Sequence, residues 1–308
     1  MIYHIYANQS NIGDWLSAQG IQSTFRGLPV KHYFCDTPFV QETAAALSEA
    51  DERDFIIIGG GGLFMDYFAP FWKSFLPISR RVPFCIWGAG CCDVKRKTSR
   101  IQSDLLNEIL PRSEFCIVRD ELSRSALPQI ELPPPVPCPA FLAVDTQDAV
   151  GKRVLNVVHP DIVSGPLSTR IKDLCRGFAE RTGREFSQTN NWIEPGDLNS
   201  LNKVVSLYAS SDLVVTSRLH GCIIALALGR KLIALSGDHK VEAFMQVAHL
   251  QKWVLDLSDV ESLPEKLDRL HEQILPVSFI ASTREKNRHI GKNLALRFKR
   301  FEQVALSC

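Results

Sequence analysis

None of the nine cysteines, at positions 35, 85, 91, 92, 116, 138, 175, 222 and 308, stands in a CxxC pair. Zinc ribbons and dithiol redox motifs are thereby excluded, and the scatter of the cysteines through apolar segments is unlike a disulfide-stapled secreted domain. Buried thiols in a reducing compartment follow. Net charge is nearly absent as well: 35 Lys and Arg face 34 Asp and Glu, a formal +1. No global field draws nucleic acid, so any basic surface is local. No apolar run approaches the roughly 20 residues that span a bilayer. The opening MIYHIYANQSNIGDWL lacks a basic leader, and His4 interrupts its short apolar run, so no signal peptide is read there. These absences predict a soluble, cytoplasmic protein.

What is present is an alternation of strand and helix. Apolar runs of four to six residues end in glycine or a charge: IYHIYA (2–7), VKHYFC (30–35), DFIIIGG (54–60), PFCIWGAG (83–90) and FCIVRD (115–120). Such runs suit parallel strands buried on both faces. The prolines of ELPPPVPCPAF (131–141) forbid a helix and favour an extended path. The alternation then restarts with KRVLNVVHP (152–160), REFSQT, DLVVTS, KLIALSG and KWVLDL. At 308 residues the chain is long enough for two α/β units. Residues 281–306 read as one long helix lying back across both halves.

In open parallel sheets, ligands bind beyond the carboxyl ends of the strands. Gly59 to Gly62, Gly88, Gly90, Arg119, His159, Arg218, His220 and Gly237 to Lys240 all fall there. With two sheets facing each other, these positions are predicted to meet in one cleft. TSRLHG (216–221) is the strongest signal. Arg218 supplies fixed charge, His220 a proton near neutral pH, and Ser217 a cap for the apolar helix that follows. Arg119 offers forked contacts to an anion or pairs with a carboxylate. Lys240 adds a second cation after the next strand or is simply solvated. Gly60, Gly61 and Gly62, in GGGGLFMD, let a ligand approach the backbone, and the expected helix after them offers unpaired N–H groups. No GK[ST] and no GxGxxG with its acid follow, so a nicotinamide cofactor is not expected. Asn11 or Asp14 of NIGD caps the first helix or touches a hydroxylated acceptor. The tail holds Arg284, Lys286, Arg288, Lys292, Arg297, Lys299 and Arg300 against few acids. It reads as a solvated face or as a surface for anionic lipid.

With NIGD (11–14), GGGGLF (59–64), VRDELS (118–123), TSRLHG (216–221) and Lys240 in this order, the chain resembles the polysaccharide pyruvyltransferase family, in its bacterial exopolysaccharide branch. The resemblance covers about residues 1–250. It implies an α/β fold of two Rossmann-like domains facing across a cleft, similar to GT-B glycosyltransferases. The expected units are 1–148 on the acceptor side, 149–280 on the phosphoenolpyruvate side, and a C-terminal helix, 281–308. It also implies transfer of pyruvate from phosphoenolpyruvate to a sugar as a ketal, with release of phosphate. Arg119, Arg218, His220 and Lys240 match family positions tied to that donor. His220 and Arg218 are then the catalytic pair, with Arg119, Lys240, Gly60 to Gly62, Asn11, Asp14 and Ser217 binding substrate. No metal or further cofactor is expected, since the cations supply the charge. The acceptor is a sugar, free, nucleotide-linked or lipid-linked, and the cell location is cytoplasmic or peripheral at the inner membrane face. Oligomeric state is not indicated. Two other readings stay open: a nucleotide-sugar glycosyltransferase of the same architecture, and a noncatalytic sugar- or anion-binding protein.

Overall fold

The apolar runs become the inner strands of two parallel sheets. The computed structural model describes residues 1–95, 97–99, 103–148 and 151–305. The first sheet joins β1 (Ile2–Tyr6), β2 (Val30–Phe34), β3 (Phe55–Ile58), β4 (Phe84–Ala89) and, after an antiparallel hairpin of β5 (Cys92–Val94) with β6 (Lys97–Ser99), β7 (Cys116–Val118). Its order is β2-β1-β3-β4-β7. The second contains β8 (Arg153–Val157), β9 (Glu185–Thr189), β10 (Leu213–Thr216), β11 (Lys231–Ser236) and β12 (Val254–Asp256), in the order β12-β11-β10-β8-β9. Read from its own first strand, each sheet has the same topology: the second strand lies outside the first, and the third begins the run on the other side. All pairings within these two sheets are parallel. Every residue of β3, β4 and β10 is buried, as two-sided cover by helices requires.

In the first unit the helices are α1 (Ile12–Gln22), α2 (Val40–Ser48), α3 (Ala69–Phe75), α4 (Ser103–Ile109) and α5 (Glu121–Ser125). The second has α6 (Gly165–Arg181), α7 (Leu198–Ala209), α8 (Leu219–Ala227), α9 (His239–Val247) and α10 (Leu263–Asp268). Two α/β layers of Rossmann type therefore face one another, the architecture of GT-B enzymes. The expected boundary at 148/149 abuts residues 149 and 150, which lie outside the described residues. Residues 306–308, with Cys308, lie outside them too. The other eight cysteines are buried. Among the described residues, no helix is long and apolar enough to cross a membrane.

Two segments tie the units together. The proline-rich stretch stays free of helix until Pro139–Leu142, a single 3₁₀ turn that wedges against α1, α8 and the last helix, α11 (Val277–Ala305). α11 starts on the second unit, where Phe279 packs with Phe141 and Phe244. It then crosses to the first sheet, where Asn287 accepts a hydrogen bond from the Trp87 indole (2.9 Å) and donates one to the Pro137 carbonyl (2.9 Å). Farther along, Leu294 and Phe298 cover Ile2, Phe25, Phe55 and Trp87. Gly291 lets the helix settle on Thr24, whose side chain a Cβ there would overlap. The basic tail is only partly a solvated face. Arg284 donates to the carbonyls of Phe141, Val144 and Ala227, and Arg297 pairs with Glu114. The side chains of Lys299 and Arg300 lie outside the described residues.

Candidate active site

Each sheet has a switch point, between β1 and β3 and between β8 and β10, where the chain leaves in opposite directions. Such points open a crevice at the carboxyl ends of the strands. Here the two crevices face each other. The turn after β1 reaches the second unit directly: the Ile12 amide donates to the Asn191 carbonyl (3.0 Å), and the Ile193 amide to the Ser10 carbonyl (2.7 Å). Asn191 adopts a left-handed φ of 63° to make this contact, and its side chain accepts from the Tyr208 hydroxyl (2.9 Å).

Asn11 is the helix cap, its carbonyl Oδ1 accepting from the Gly13 amide (2.9 Å). Asp14 is therefore spared that duty and turns its buried carboxylate toward the junction, 3.9 Å from Nδ1 of His220. Gly13 has a steric reason to be glycine, because a Cβ there would overlap the His220 ring. The other imidazole nitrogen, Nε2, lies 3.7 Å from Sγ of Cys138, which itself donates to Ser17 Oγ (3.3 Å). His220 is thus held between the first helix of one unit and the N-terminus of α8 in the other.

The cations arrive from separate loops. Arg119 follows β7 and is 6% exposed. Its Nε bonds Asp120 (3.1 Å) and its Nη2 the Cys91 carbonyl (2.8 Å), while Asp120 also caps α5 through the Ser123 amide (2.7 Å). Lys240, in the first turn of α9, pairs with Asp238 (2.7 Å) and reaches across to Sγ of Cys92 (3.0 Å). Arg218 is half-buried and donates through Nε to the Val158 carbonyl (3.1 Å). Among the described residues, no carboxylate lies within ion-pair distance of it. Its guanidinium remains available to an anion.

The glycine run leads into helix through a short buried link: Leu63 and Phe64 are buried, a 3₁₀ turn begins at Asp66, and α3 follows from Ala69. Gly61, at φ 105°, lies where a Cβ would be 2.7 Å from Asp14 Oδ1. Gly62 sits between Cys92 and Arg119, and Gly60 faces the backbone of α1 rather than the cations. Ser217 does not cap α8. Its hydroxyl accepts from the His159 amide (2.8 Å), and Arg218 occupies the cap position without a side-chain cap bond. Near this end of the second sheet, Nδ1 of His159, both amide atoms of Asn156 and Nδ2 of Asn191 are buried with no hydrogen-bond partner among the described residues. Buried polar groups seldom stay unmatched in a native fold.

Electrostatics bind the cluster into one unit. Burial, reinforced by Arg119, Lys240 and Arg218, holds the His220 pKa well below its ordinary value, so the imidazole is neutral in the ligand-free protein. Burial and the same Arg218 and Lys240 bring His159 down to about 4. Burial pushes the Asp14 carboxyl up to about 6, against the downward pull of Arg119, Arg218 and Lys240. Against burial, Cys92 and Asp238 raise the Lys240 ammonium. A positive field thus surrounds a neutral imidazole at a domain junction, an arrangement that a small polyanion would complete. Arg119, Arg218, His220, Lys240 and Asp14 all belong to it. Cys92, Cys138, Ser17, Asp120 and Asp238 belong to it as well, yet no local pattern singles them out: they come close only through the tertiary fold.

A family model described as "Polysaccharide pyruvyl transferase" matches residues 11–239. No curated protein matches the chain. Among solved structures, a functionally uncharacterised protein from Klebsiella pneumoniae is 16% identical, with TM-score 0.51, over 83% of this chain and 92% of that one. A putative UDP-N-acetylglucosamine 2-epimerase from Listeria monocytogenes is 10% identical, with TM-score 0.60, over 98% and 96%. MnaA from S. aureus, solved with UDP, is 10% identical, with TM-score 0.59, over 89% and 90%. At these identities the structures attest the fold. The family match spans every motif from Asn11 to His239: this chain belongs to the polysaccharide pyruvyl transferase family and is a transferase.

Proposed function

We propose that the enzyme takes its pyruvyl group from phosphoenolpyruvate and sets it on a sugar of an exopolysaccharide or its precursor as a cyclic ketal, releasing phosphate. The observation that carries this reading is Arg218, without a carboxylate partner, beside a neutral His220 and two further buried cations. A donor with one carboxylate and one phosphate needs several fixed cations, and none of the three can be neutralised near pH 7. Burial is the main cause that keeps His220 neutral, and binding such an anion offsets the share that the three cations add. The imidazole then takes up a proton, with Asp14 at 3.9 Å favouring the charged form.

The imidazolium protonates the methylene carbon, leaving a cation-like centre at the adjacent carbon. A sugar hydroxyl attacks that centre and gives its proton to His220, which restores the imidazolium. Phosphate departs against Arg119, Arg218 and Lys240. A second hydroxyl closes the ring, and its proton leaves on the phosphate. One proton is thus gained at carbon and one by phosphate, and both come from the two hydroxyls.

Incubation of the purified enzyme with phosphoenolpyruvate and pyranoside acceptors tests the reading. Phosphate release coupled to ketal formation, seen by mass spectrometry, is expected. Absence of both with every acceptor, together with thermal stabilisation by a UDP- or GDP-sugar, would favour a glycosyltransferase instead. Stabilisation by a sugar without any turnover would favour a binding protein.

Asp14 gives a separate test. Its folded-state pKa, about 6, lies above the ordinary 3.8, so the folded protein binds this proton more tightly than the unfolded chain. Stability is therefore lost as pH rises from about 4 through 6. The full cost, on the order of 3 kcal/mol, stands at neutral pH. Asp14→Asn is expected to raise the melting temperature at pH 7.5, with a gain that shrinks toward pH 4. It is also expected to lower transfer and to abolish an acidic limb near pH 6 in kcat/KM. An unchanged pH profile in the variant would remove Asp14 from the reaction.

A further inference from the structure

A cavity of about 540 Å³ lies away from the cluster, at the far end of α1. Helix α1 rises about 1.5 Å per residue, so its 11 residues set the cavity roughly 16 Å from the Asn11–Asp14 turn. Its walls are the residues just after α1, the linker at Leu142, and one stripe of α11. Arg26, Arg288 and Lys292 supply three cations, and Leu142 and Leu296 an apolar side. Arg288, Lys292 and Leu296 follow one another at four-residue spacing, so they share one face of the helix. Among the described residues none of the three cations makes an ion pair, whereas Arg297 of the same helix pairs with Glu114 and Arg284 spends its donors on carbonyls. Glu285, one turn before Arg288, does not line the cavity and makes no ion pair with it. Thr24, also in the wall, spends its hydroxyl proton on the Ile21 carbonyl (2.7 Å), so recognition there rests on the cations.

We propose that this cavity takes the phosphate headgroup of an anionic phospholipid and seats the enzyme on a membrane surface. Three unpaired cations match a phosphodiester. Leu296, 49% exposed at the rim beside them, matches the apolar zone below a headgroup better than it matches water. The volume exceeds what a single inorganic phosphate fills. The active cluster lies at the other end of α1, so lipid contact here leaves it unobstructed.

The test is co-sedimentation of the full chain with vesicles, which needs no turnover and so fails or succeeds independently of the reaction proposed above. Vesicles of phosphatidylcholine with phosphatidylglycerol are expected to carry the protein down at about 0.1 M salt, and those of phosphatidylcholine alone to leave it in solution. Arg288→Glu with Lys292→Glu should weaken that binding by on the order of 30-fold or more. Lys286→Glu, an exposed change on the opposite side of α11, should leave it nearly intact. Transfer to a soluble acceptor should be unchanged in all three proteins. Equal binding to both kinds of vesicle, or equal loss with Lys286→Glu, overturns the proposal, the latter by showing diffuse helix charge. Abolition of vesicle binding by millimolar inorganic phosphate, accompanied by thermal stabilisation, also overturns it and assigns the cavity to a small free anion.

Discussion

Replacing His220 with alanine is expected to lower the rate of pyruvyl transfer by about 100- to 10,000-fold, the range typical for loss of one general acid–base group. The ring is 8% exposed and its two nitrogens face Asp14 and Cys138, so it has no competing role as a surface group. Alanine also removes the body that fills the gap beside Gly13. His220→Gln, which retains most of that volume without a titratable nitrogen, separates the two effects. Both variants should lose turnover in phosphate-release assays, and the glutamine variant should keep its melting temperature and its affinity for phosphoenolpyruvate. A glutamine variant with wild-type turnover would assign the imidazole to packing between the domains.

Arg119→Met is the second large effect expected, and it has two parts. The guanidinium is the partner of Asp120, itself buried, and removing one member of a buried pair leaves an uncompensated charge that costs about 3–5 kcal/mol. In the mechanism proposed, Arg119 faces the departing phosphate, so losing its charge should lower kcat/KM for phosphoenolpyruvate by about 100- to 1,000-fold, on the scale of a deleted oxyanion donor. Arg119→Lys keeps the charge and should recover most of the stability, but it cannot hold Asp120 and the Cys91 carbonyl at once, so activity should recover only in part. Melting curves and phosphate-release kinetics on both variants check this. A stable lysine variant with full activity would show that only charge is required. A methionine variant with undiminished kcat/KM would reduce Arg119 to a brace for Asp120.

Much of this arrangement was legible in the sequence because parallel strands buried on both faces leave a plain mark. Runs such as FIII and LVVT end abruptly in glycine or in Ser-Arg, and the charge at the end of a strand points to the edge where ligands bind. Arg119, Arg218, His220 and Lys240 could be named on that ground alone. The glycine run reads as a turn ahead of a helix, and helix does begin at Asp66, while the burial of Leu63 and Phe64 in between is decided by the core. The hairpin at 92–99 was hidden for a similar reason. Its strands are three residues each, and its contacts with the second unit include Lys95, which bonds the Gly237 carbonyl through its amide and Glu242 (2.7 Å) and Asp256 (2.5 Å) through its ammonium. Ser217 was assigned a cap by its position, whereas His159 from another strand end claims its hydroxyl. Cys92 and Cys138 carry no local signal at all, because a thiol in an apolar segment looks the same whether it meets an ammonium or a methyl group.

The crossing of α11 onto the first sheet bears on how the chain is made. Ile2, Phe25, Phe55 and Trp87 leave the ribosome well before Leu294 and Phe298, which shield them. The nascent N-terminal half must therefore carry an oily, unroofed flank through most of its synthesis. Native assembly of that half waits on the synthesis of α11, and chaperones have a long opportunity at this flank.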